Sequence, residues 1–341
     1  MTDIQFCIFD HLDTAERPLA QLYEDRLSYA EAAEAAGFAA YYVAEHHSTP
    51  LGHAPSPSVF LGALSQRTHR MRIGSMVHVL PAYDPLRLFE EICMLDHLSG
   101  GRLDIGVGRG ASPYETAYYG VNPQHSRPRF EEALEVVQTA LKGDAFTHRG
   151  DFFRYYDVPV TMRPAQEGGP PMWYGAFSER NLLFAAKHGL NVTMSGPPPR
   201  LRQLANRYRE IWSEAAPGKP MPGISSMYQL FVGETDAEAE RIAEAAYERW
   251  YASMVHLWRA NNAMPRETLP SSFAAASKLG SMIAGSPETV RQKLQAMLDA
   301  SGLKRVLLQA YMGNMPQQAV HDSIARFGSE VKPRLTVAAD A

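Results

Sequence analysis

Three ionisable side chains stand together early in the sequence, in the stretch YYVAEHH at residues 41–47. Glu45, His46 and His47 follow an apolar run that is typical of a buried strand. A carboxylate and imidazoles at the end of such a strand could transfer protons or bind a metal ion. Because successive side chains of a strand point to opposite faces, all three cannot face one pocket. We therefore expect one or two of them to take part in chemistry.

A glycine-rich stretch, GVGRGA at residues 106–111, contains a second candidate. It matches the dinucleotide-binding pattern G-x-G-x-x-A, but a helix should begin inside that pattern, and Pro113 with a glycine–tyrosine loop follows instead. We interpret the glycines as small residues where a ligand approaches the backbone, with Arg109 available to bind phosphate. The alternative is that Arg109 pairs with a carboxylate of a helix.

A serine in AFSERN, residues 176–181, stands at the start of a segment with helical period. Ser178 is expected to cap this helix through its hydroxyl. The exposed amides of the first turn could also face an anion, and the two roles are compatible. This segment therefore provides a candidate second component of a phosphate site.

The elements that position these residues follow from an alternation of short apolar runs and longer segments of helical period. The runs are too rich in aliphatic residues for half-exposed antiparallel strands, so we expect a parallel sheet covered by helices. Eight units predict an α/β protein with a (β/α)8 TIM barrel, in a single domain of residues 1–341. The predicted strands are residues 4–9, 39–44, 71–80, 102–108, 171–176, 190–195, 226–232 and 303–309.

Enzymes with this architecture build their sites from the carboxyl ends of the strands. Besides residues 45–47, the side chains expected at strand ends are Asp10, His11, Met76, Val77, His78, Arg109, Phe177, Ser178, Met194, Ser195, Gln309 and Tyr311. All of them could face one barrel mouth.

Helix starts are predicted where a polar residue precedes proline, at Asp84 and at Ser286. Three inserted segments interrupt the regular alternation. Residues 109–129 predict a loop over the barrel mouth, and residues 146–162 predict a short β-hairpin. Residues 260–285 have no steady period, so we predict a lid there.

Catalysis by a metal or by a nucleophilic serine is disfavoured. A metal-dependent barrel hydrolase would be expected to carry two histidines separated by one residue at the first strand, whereas His11 stands alone. His46 and His47 are adjacent, which is poor spacing for one ion. The strained elbow G-x-S-x-G is not present either.

The composition limits the partners further. Of the 341 residues, 45% are hydrophobic and 21% are charged, and the net charge of −4 offers no basic surface for nucleic acid. No apolar run reaches the roughly eighteen residues that a membrane helix needs, so we expect a soluble, cytoplasmic protein. Cys7 and Cys93 lie in apolar segments, which favours reduced core thiols over a disulfide or a metal site.

Four motifs resemble those of the bacterial luciferase-like, flavin-dependent monooxygenases in order and in spacing. They are AEHH (44–47), IGSMVHVLPAYDPLRLFEEICMLDHLSGGRLDIGVGRG (73–110), AFSERN (176–181) and IAGSPETVRQKL (283–294). The resemblance covers almost the whole chain. It implies a (β/α)8 barrel that holds a flavin non-covalently at the carboxyl ends of the strands, with reduced flavin supplied by a separate reductase.

The resemblance also implies roles for single residues. His46 is similar to the family's catalytic histidine beside the flavin ring, and Glu45 is similar to the neighbouring carboxylate. Met76 and Val77 fall where the family has a non-prolyl cis peptide under the ring. The positions that correspond to residues near the flavin phosphate and ring are Arg109, Ala176, Ser178 and Ser195.

Two positions depart from the luciferase pattern. Phe177 stands where luciferase has a carboxylate, and Gly108 replaces the reactive cysteine of its catalytic subunit. Emission of light is therefore not expected, whereas general monooxygenase chemistry is unaffected.

The resemblance and His46 together favour a monooxygenase. Reduced FMN would bind, dioxygen would add at its C4a carbon, and the peroxyflavin would oxygenate a small organic substrate while His46 hydrogen-bonds or exchanges a proton. One alternative is hydride transfer with the deazaflavin F420, and another is a non-catalytic flavin-binding partner subunit. A homodimer is expected from the resemblance.

Overall fold

Parallel strands close into a barrel at the centre of the protein, and helices cover the outside. The structure is a computed structural model that describes residues 4–13, 17–265 and 269–336. The strands are β1 (Gln5–Asp10), β2 (Ala40–Val43), β3 (Arg72–Val79), β4 (Leu103–Gly108), β5 (Ala145–Arg149), β6 (Arg154–Pro159), β7 (Met172–Gly175), β8 (Asn191–Met194), β9 (Ile224–Val232), β10 (Met282–Gly285) and β11 (Arg305–Gln309). The helices are α1 (Leu19–Ala35), α2 (Pro57–Arg67), α3 (Pro85–Leu98), α4 (Pro113–Tyr118), α5 (Ser126–Ala140), α6 (Glu179–His188), α7 (Pro198–Ala215), α8 (Asp236–Met254), α9 (His256–Ala260), α10 (Phe273–Leu279), α11 (Pro287–Ser301) and α12 (Gln317–Arg326). Within the described ranges, no helix is both long enough and apolar enough to cross a membrane.

Eight of the strands form the closed barrel. They follow the order β1, β2, β3, β4, β7, β8, β9 and β11, each strand pairs in parallel with the next, and β11 pairs with β1. The predicted (β/α)8 barrel is confirmed. The eight predicted strands are the ones that form it, with ends that differ by a few residues.

A further parallel strand lies within residues 260–285, where the sequence predicted a lid. β10 pairs with the second half of β9, and all of its residues are buried. At the start of α10, the Ser272 hydroxyl accepts a hydrogen bond from the amide of Ala275. The lid prediction is therefore wrong for residues 273–285, because a capped helix and a short apolar strand fix this part. Residues 266–268 of the same segment lie outside the described ranges.

The other two inserted segments differ in how regular they are. β5 and β6 form the predicted antiparallel hairpin. Glu132 of α5 holds its turn, because its carboxylate accepts hydrogen bonds from the amides of Asp151, Phe152 and Phe153. Residues 109–129 are only partly a loop, since they contain α4 and the first residues of α5.

Both predicted helix starts are confirmed, because α3 begins at Pro85 and α11 at Pro287, but the two N-cap side chains behave differently. Asp84 caps α3 as expected, because its carboxylate accepts hydrogen bonds from the amides of Leu86 and Arg87 at 3.0 and 3.1 Å. Ser286 precedes α11, but its hydroxyl donates to the Thr289 hydroxyl instead of accepting from an amide. A neighbouring side chain thus competes successfully for the serine.

Side chains of the barrel strands alternate between the helix layer and the interior. Tyr41 packs outward against Phe60 of α2, so Tyr42 points inward. The same alternation directs His46 toward the interior side. The apolar interior cluster consists of Cys7, Phe9, Ala40, Tyr42, Ala44, Met76, Trp173 and Leu307. Cys7 and Cys93 are both buried free thiols.

Candidate active site

The segment after β2 directs its ionisable side chains to two sides. Glu45 and His47 turn toward each other, and Glu45 Oε1 lies 2.8 Å from His47 Nε2. His46 lies on the interior side, with its ring centroid 5.3 Å from that of His11. All three side chains are buried. As strand geometry requires, they do not share one pocket, and His46 is the one beside the barrel mouth.

Glu45 and His47 belong to a buried hydrogen-bond network. Glu45 Oε2 accepts hydrogen bonds from the amide of Val79 at 3.1 Å and from the Tyr83 hydroxyl at 2.8 Å. The Nδ1 atom of His47 lies 2.9 Å from the Tyr119 hydroxyl. Burial, followed by the charge of Glu45, raises the pKa of Tyr83, which keeps its hydroxyl a donor. The network connects the residues after β2 to the end of β3 and to Tyr119, directly after α4. Because of these bonds, the polar atoms of Glu45 and His47 are already engaged.

Glu115 of α4 orients His46. Both carboxylate oxygens lie 3.2 Å from His46 Nδ1, and Oε2 also accepts a hydrogen bond from the amide of His47 at 2.9 Å. A carboxylate is an acceptor, so the proton of this pair lies on Nδ1. Nε2 of His46 has no hydrogen-bond partner in the part of the chain that the structure describes. It is the atom that His46 can offer to a ligand.

Glu115 was not among the predicted site residues, although the sequence carries a signal for its helix. The stretch SPYE at residues 112–115 matches the pattern in which serine caps a helix and proline enters its first turn. The Ser112 hydroxyl does accept a hydrogen bond from the amide of Tyr114. This pattern could have located α4, but it does not indicate that Glu115 reaches His46.

His11 is the second histidine at the mouth. Its Nδ1 lies 3.2 Å from Trp250 Nε1 and 2.8 Å from Gln309 Nε2. Burial, then the charges of His46 and Arg26, hold the pKa of His11 well below its usual range. The ring is therefore neutral near pH 7.

The neighbouring Asp10 does not face the mouth. It accepts hydrogen bonds from the Tyr41 hydroxyl and the amide of Leu12, and one oxygen lies 3.5 Å from Arg26 Nε. These partners place Asp10 on the helix side of β1, where it has a structural role.

The peptide bond between Met76 and Val77 is cis, as the resemblance implies. The pairing of β3 with β4 shifts register between Ser75 and His78. The Ser75 hydroxyl lies 2.6 Å from His78 Nδ1 and accepts a hydrogen bond from the amide of Gly106 at 3.2 Å. These bonds connect the irregular part of β3 to β4. Burial lowers the pKa of His78.

The glycines of GVGRG make room for β3. A Cβ atom at Gly106 would lie 2.3 Å from the carbonyl oxygen of Ser75, and one at Gly108 would lie 2.3 Å from Val77 Cγ2. The interpretation that both glycines make room for a ligand is therefore corrected, because the neighbouring strand fills that space. A cysteine at position 108 would force Val77 to move.

Arg109 and the start of α6 form a candidate phosphate site. Arg109 is exposed, and no carboxylate in the described ranges pairs with it, so the alternative of a helix ion pair is not observed. Ser178 stands at the N-cap position, but its hydroxyl donates to the Asn181 side chain, so the capping prediction is wrong. The first amides of α6 therefore have no side-chain cap. An unpaired guanidinium and the free amides of Glu179 and Arg180 fit a phosphate group, whereas the amide of Asn181 already donates to the carbonyl oxygen of Ser178.

Ala176 and Ser195 follow β7 and β8. Ala176 is fully buried, and its amide donates to the carbonyl oxygen of Thr193 at 3.0 Å. Ser195 is half-buried. The predicted site residues thus lie on or directly after five consecutive barrel strands: Met76 and Val77 are within β3, and the others follow β2, β4, β7 and β8. Their positions are compatible with one extended ligand, such as a flavin mononucleotide, lying across the mouth.

The short helices α4 and α9 approach each other above the mouth. Tyr114 of α4 and Trp258 of α9 are in edge contact, with ring centroids 6.2 Å apart. Both elements can therefore limit the access of water.

Among the described residues, no group of three or more His, Cys, Asp or Glu side chains is placed to hold a metal ion.

The chain is similar to known monooxygenases over almost its full length. A family model described as luciferase-like monooxygenase matches residues 4–305. An uncharacterized protein of Sinorhizobium fredii, y4wF, is 36% identical over 97% of this chain and 97% of its own length. The 4-hydroxyprotoasukamycin monooxygenase of Streptomyces nodosus subsp. asukaensis is 28% identical, over 95% and 90%. The oxygenase component of the flavin-dependent trigonelline monooxygenase of Acinetobacter baylyi is 30% identical over 56% of this chain and 54% of its own.

Solved structures agree in fold. Monooxygenase RslO1 from Streptomyces bottropensis has a TM-score of 0.88 and 26% identity, covering 97% of this chain and 99% of its own. The oxygenating constituent of 3,6-diketocamphane monooxygenase from Pseudomonas putida, solved with FMN, has a TM-score of 0.79 and 19% identity over 99% and 100%. A coenzyme F420-dependent tetrahydromethanopterin reductase from Methanopyrus kandleri has a TM-score of 0.72 and 18% identity over 98% and 100%. The resemblance of the motifs is confirmed: this chain belongs to the luciferase-like monooxygenase family.

Proposed function

We propose that this protein is the oxygenase of a two-component system, which takes reduced FMN from a separate reductase and uses dioxygen to oxygenate a small organic substrate. The observation that carries the proposal is His46, which Glu115 holds through Nδ1 while Nε2 stays free beside the mouth. The trigonelline relative, whose name describes an oxygenase component, supports the two-component arrangement.

The residues present fit FMN. Arg109 and the first amides of α6 would hold the phosphate, because both are unpaired at the ends of neighbouring strands. Met76, Val77, Ala176 and Ser195 would border the ring. When bound, reduced FMN supplies the electrons that activate dioxygen.

The protein's own part is positioning, proton handling and the exclusion of water. Nε2 of His46 would hydrogen-bond or exchange a proton with the bound molecules. Glu45 acts through other residues, because its oxygens are engaged by His47, Val79 and Tyr83. The contact between α4 and α9 would shield the reaction from water.

F420 remains the second candidate cofactor. The F420-dependent neighbour shares the fold at 18% identity, which says nothing about the ligand of this chain. The unpaired Arg109 and α6 amides suit the phosphate of either cofactor, so direct binding must decide between them.

The test is an anaerobic titration with reduced FMN and, separately, with reduced F420, followed by rapid mixing with oxygenated buffer while the flavin spectrum is recorded. Tight binding of reduced FMN and a long-lived flavin–oxygen adduct would support the proposal. Tight binding of F420 without an oxygen adduct would instead indicate hydride transfer. Binding of neither would favour a non-catalytic partner subunit.

The proposed assembly is a homodimer. Light scattering coupled to size-exclusion chromatography would test it, and the mass of a single chain, 37.8 kDa, would contradict it.

A further inference from the structure

His11 at the end of β1 has a proton arrangement that its neighbours dictate. An indole nitrogen can only donate, so the bond from Trp250 Nε1 makes Nδ1 of His11 an acceptor. The Gln309 amide also requires Nδ1 of His11 to accept. Its oxygen accepts a hydrogen bond from Gln229 Nε2 at 3.2 Å, so its nitrogen, 2.8 Å from His11 Nδ1, is the donor. Two donors from β11 and α8 therefore converge on one nitrogen.

The proton of His11 consequently lies on Nε2. A second proton on Nδ1 would place three donors against one another in a site from which water is excluded. Burial, His46 and Arg26 all lower the pKa of His11, in the same direction as this argument. His11 thus remains a neutral donor at the pH values at which an unperturbed histidine titrates.

The Nε2–H of His11 lies on the interior side of β1, beside His46. Nε2 has no hydrogen-bond partner among the described residues. Unlike Tyr29 Oη and Trp173 Nε1, which also lack partners, it is not a fully buried atom. The ring lies beside that of His46, at 5.3 Å and an angle of 49°.

The two rings differ in what they can offer. His46 carries its proton on Nδ1, toward Glu115, so its Nε2 can accept a proton. His11 carries its proton on Nε2 and has no equivalent freedom. One histidine can exchange a proton, and the other can only donate a hydrogen bond.

We propose that His11 is a second ligand-contacting residue of the mouth, a fixed neutral donor whose Nε2–H binds a carbonyl or anionic oxygen of the molecule held beside His46. The oxygen could belong to the flavin ring or to the substrate. The nature of the bound molecule rests on the proposed function, whereas the fixed tautomer does not.

The tautomer is tested on the ligand-free protein with 15N-labelled histidine. Long-range proton–nitrogen correlation spectra between pH 6 and pH 8 should show a pyrrole-type Nε2 and a pyridine-type Nδ1 for His11. A pyrrole-type Nδ1, or two protonated nitrogens, would overturn the proposal. Neither outcome depends on flavin binding.

Changing the two donors should reverse the tautomer of His11. In the double variant Trp250→Phe with Gln309→Glu, the indole donor is removed and a carboxylate acceptor replaces the amide donor, so the proton of His11 should move to Nδ1. Gln309→Glu alone carries the same charge but keeps the indole donor, and Trp258→Phe removes a tryptophan that does not touch His11. Retention of the Nε2 proton in the double variant would contradict the proposed cause of the tautomer.

The ligand oxygen is then located by adding reduced FMN anaerobically, followed by cyclohexanone or benzoate as carbonyl and carboxylate probes. A shift of the His11 Nε2 resonance on adding FMN assigns the oxygen to the flavin, and a shift only with a probe assigns it to the substrate. No shift with any of them overturns the proposal. If a probe shifts the resonance while FMN does not bind, His11 keeps its role and the proposed function fails.

In the double variant, the affinity for the ligand should also change. Loss of one hydrogen bond to the responsible ligand should raise its dissociation constant about 10-fold relative to Gln309→Glu. If the spectrum of the double variant shows the proton of His11 on Nδ1 but its affinity equals that of Gln309→Glu, the role of His11 is contradicted.

Discussion

The two ends of the barrel interior both contain buried charges, but they use them differently. At the amino end, Asp104 accepts hydrogen bonds from Arg72 and from the Tyr42 hydroxyl. Arg305 donates to Tyr42 and stacks over Trp173 at 4.8 Å. The charged groups at this end therefore find their partners in one another.

At the carboxyl end, the two histidines beside the mouth, His11 and His46, are oriented without being fully satisfied. His11 and His46 are each held through Nδ1, and each leaves Nε2 without a partner among the described residues. Hydrogen bonding alone therefore does not identify a functional end. What identifies it is a side chain that is fixed at one atom and unoccupied at another atom that is not fully buried, whereas Arg305 Nε at the amino end also lacks a partner but is fully buried.

The largest expected effect is at His46. His46→Asn should lower the rate of substrate oxygenation by about 10² to 10⁴, because it removes the free nitrogen that can handle a proton. Stopped-flow and turnover assays with reduced FMN would measure the loss. The matched control is His47→Asn, whose two nitrogens are already engaged by Glu45 and Tyr119. If the control loses as much activity per folded molecule as His46→Asn, the assignment of the two histidines is wrong.

The opposite end should respond in stability. Asp104→Ala would leave Arg72 and Arg305 without their carboxylate, and we expect the free energy of unfolding to fall by about 3 kcal/mol. This is the lower end of the usual range, because the Arg72 side chain is 32% exposed. Urea unfolding followed by circular dichroism measures it. Glu24→Ala, which breaks an exposed pair with Arg67, should leave the midpoint nearly unchanged. A fall in FMN affinity without a fall in stability would contradict the structural role of Asp104.

The sequence predicts the barrel and the position of His46 because both depend on local patterns. An apolar run followed by polar residues marks a strand end, and parallel strands in a barrel bring their ends together. The hairpin of β5 and β6 follows equally from a local pattern of alternation and turn residues.

The rest of the site depends on contacts between distant residues. Glu115 and His46 are 69 positions apart, and Trp250 and His11 are 239 apart. No periodicity reports such pairs, because they form only when α4 and α8 pack against the barrel. Local signals place the helix starts after Ser178 and Ser286 correctly, but the hydroxyl caps do not form, because a neighbouring Asn or Thr side chain competes for each hydroxyl.

A smaller effect on activity is expected at Glu115. Glu115→Gln keeps the size of the side chain but replaces a charged hydrogen bond, and it should lower turnover by about 10- to 100-fold. The 15N spectrum of His46 should show loss of the fixed Nδ1 proton, which a purely structural defect would not produce. Glu115→Asp, which keeps the charge, should restore part of the activity. Full activity in Glu115→Gln would show that His46 does not need this partner.

The smallest effect concerns acid stability and distinguishes the buried histidines from the rest of the mouth. Burial lowers the pKa of His11 in the folded protein, whereas the unfolded chain has a value of about 6.5. As the pH falls below that value, the unfolded state binds a proton that the folded state does not bind, so the free energy of unfolding decreases. His11→Asn removes this contribution and should reduce the slope of unfolding free energy against pH, between pH 6.5 and pH 5, by up to about 1.4 kcal/mol per pH unit. Urea titrations at closely spaced pH values measure the slope. His78→Asn should reduce it in the same direction, because burial lowers the pKa of His78 too. An unchanged slope in His11→Asn would mean that His11 takes up a proton in the folded state. His11 would then not be a fixed neutral donor at the mouth, and the contrast between the two ends of the barrel would no longer hold.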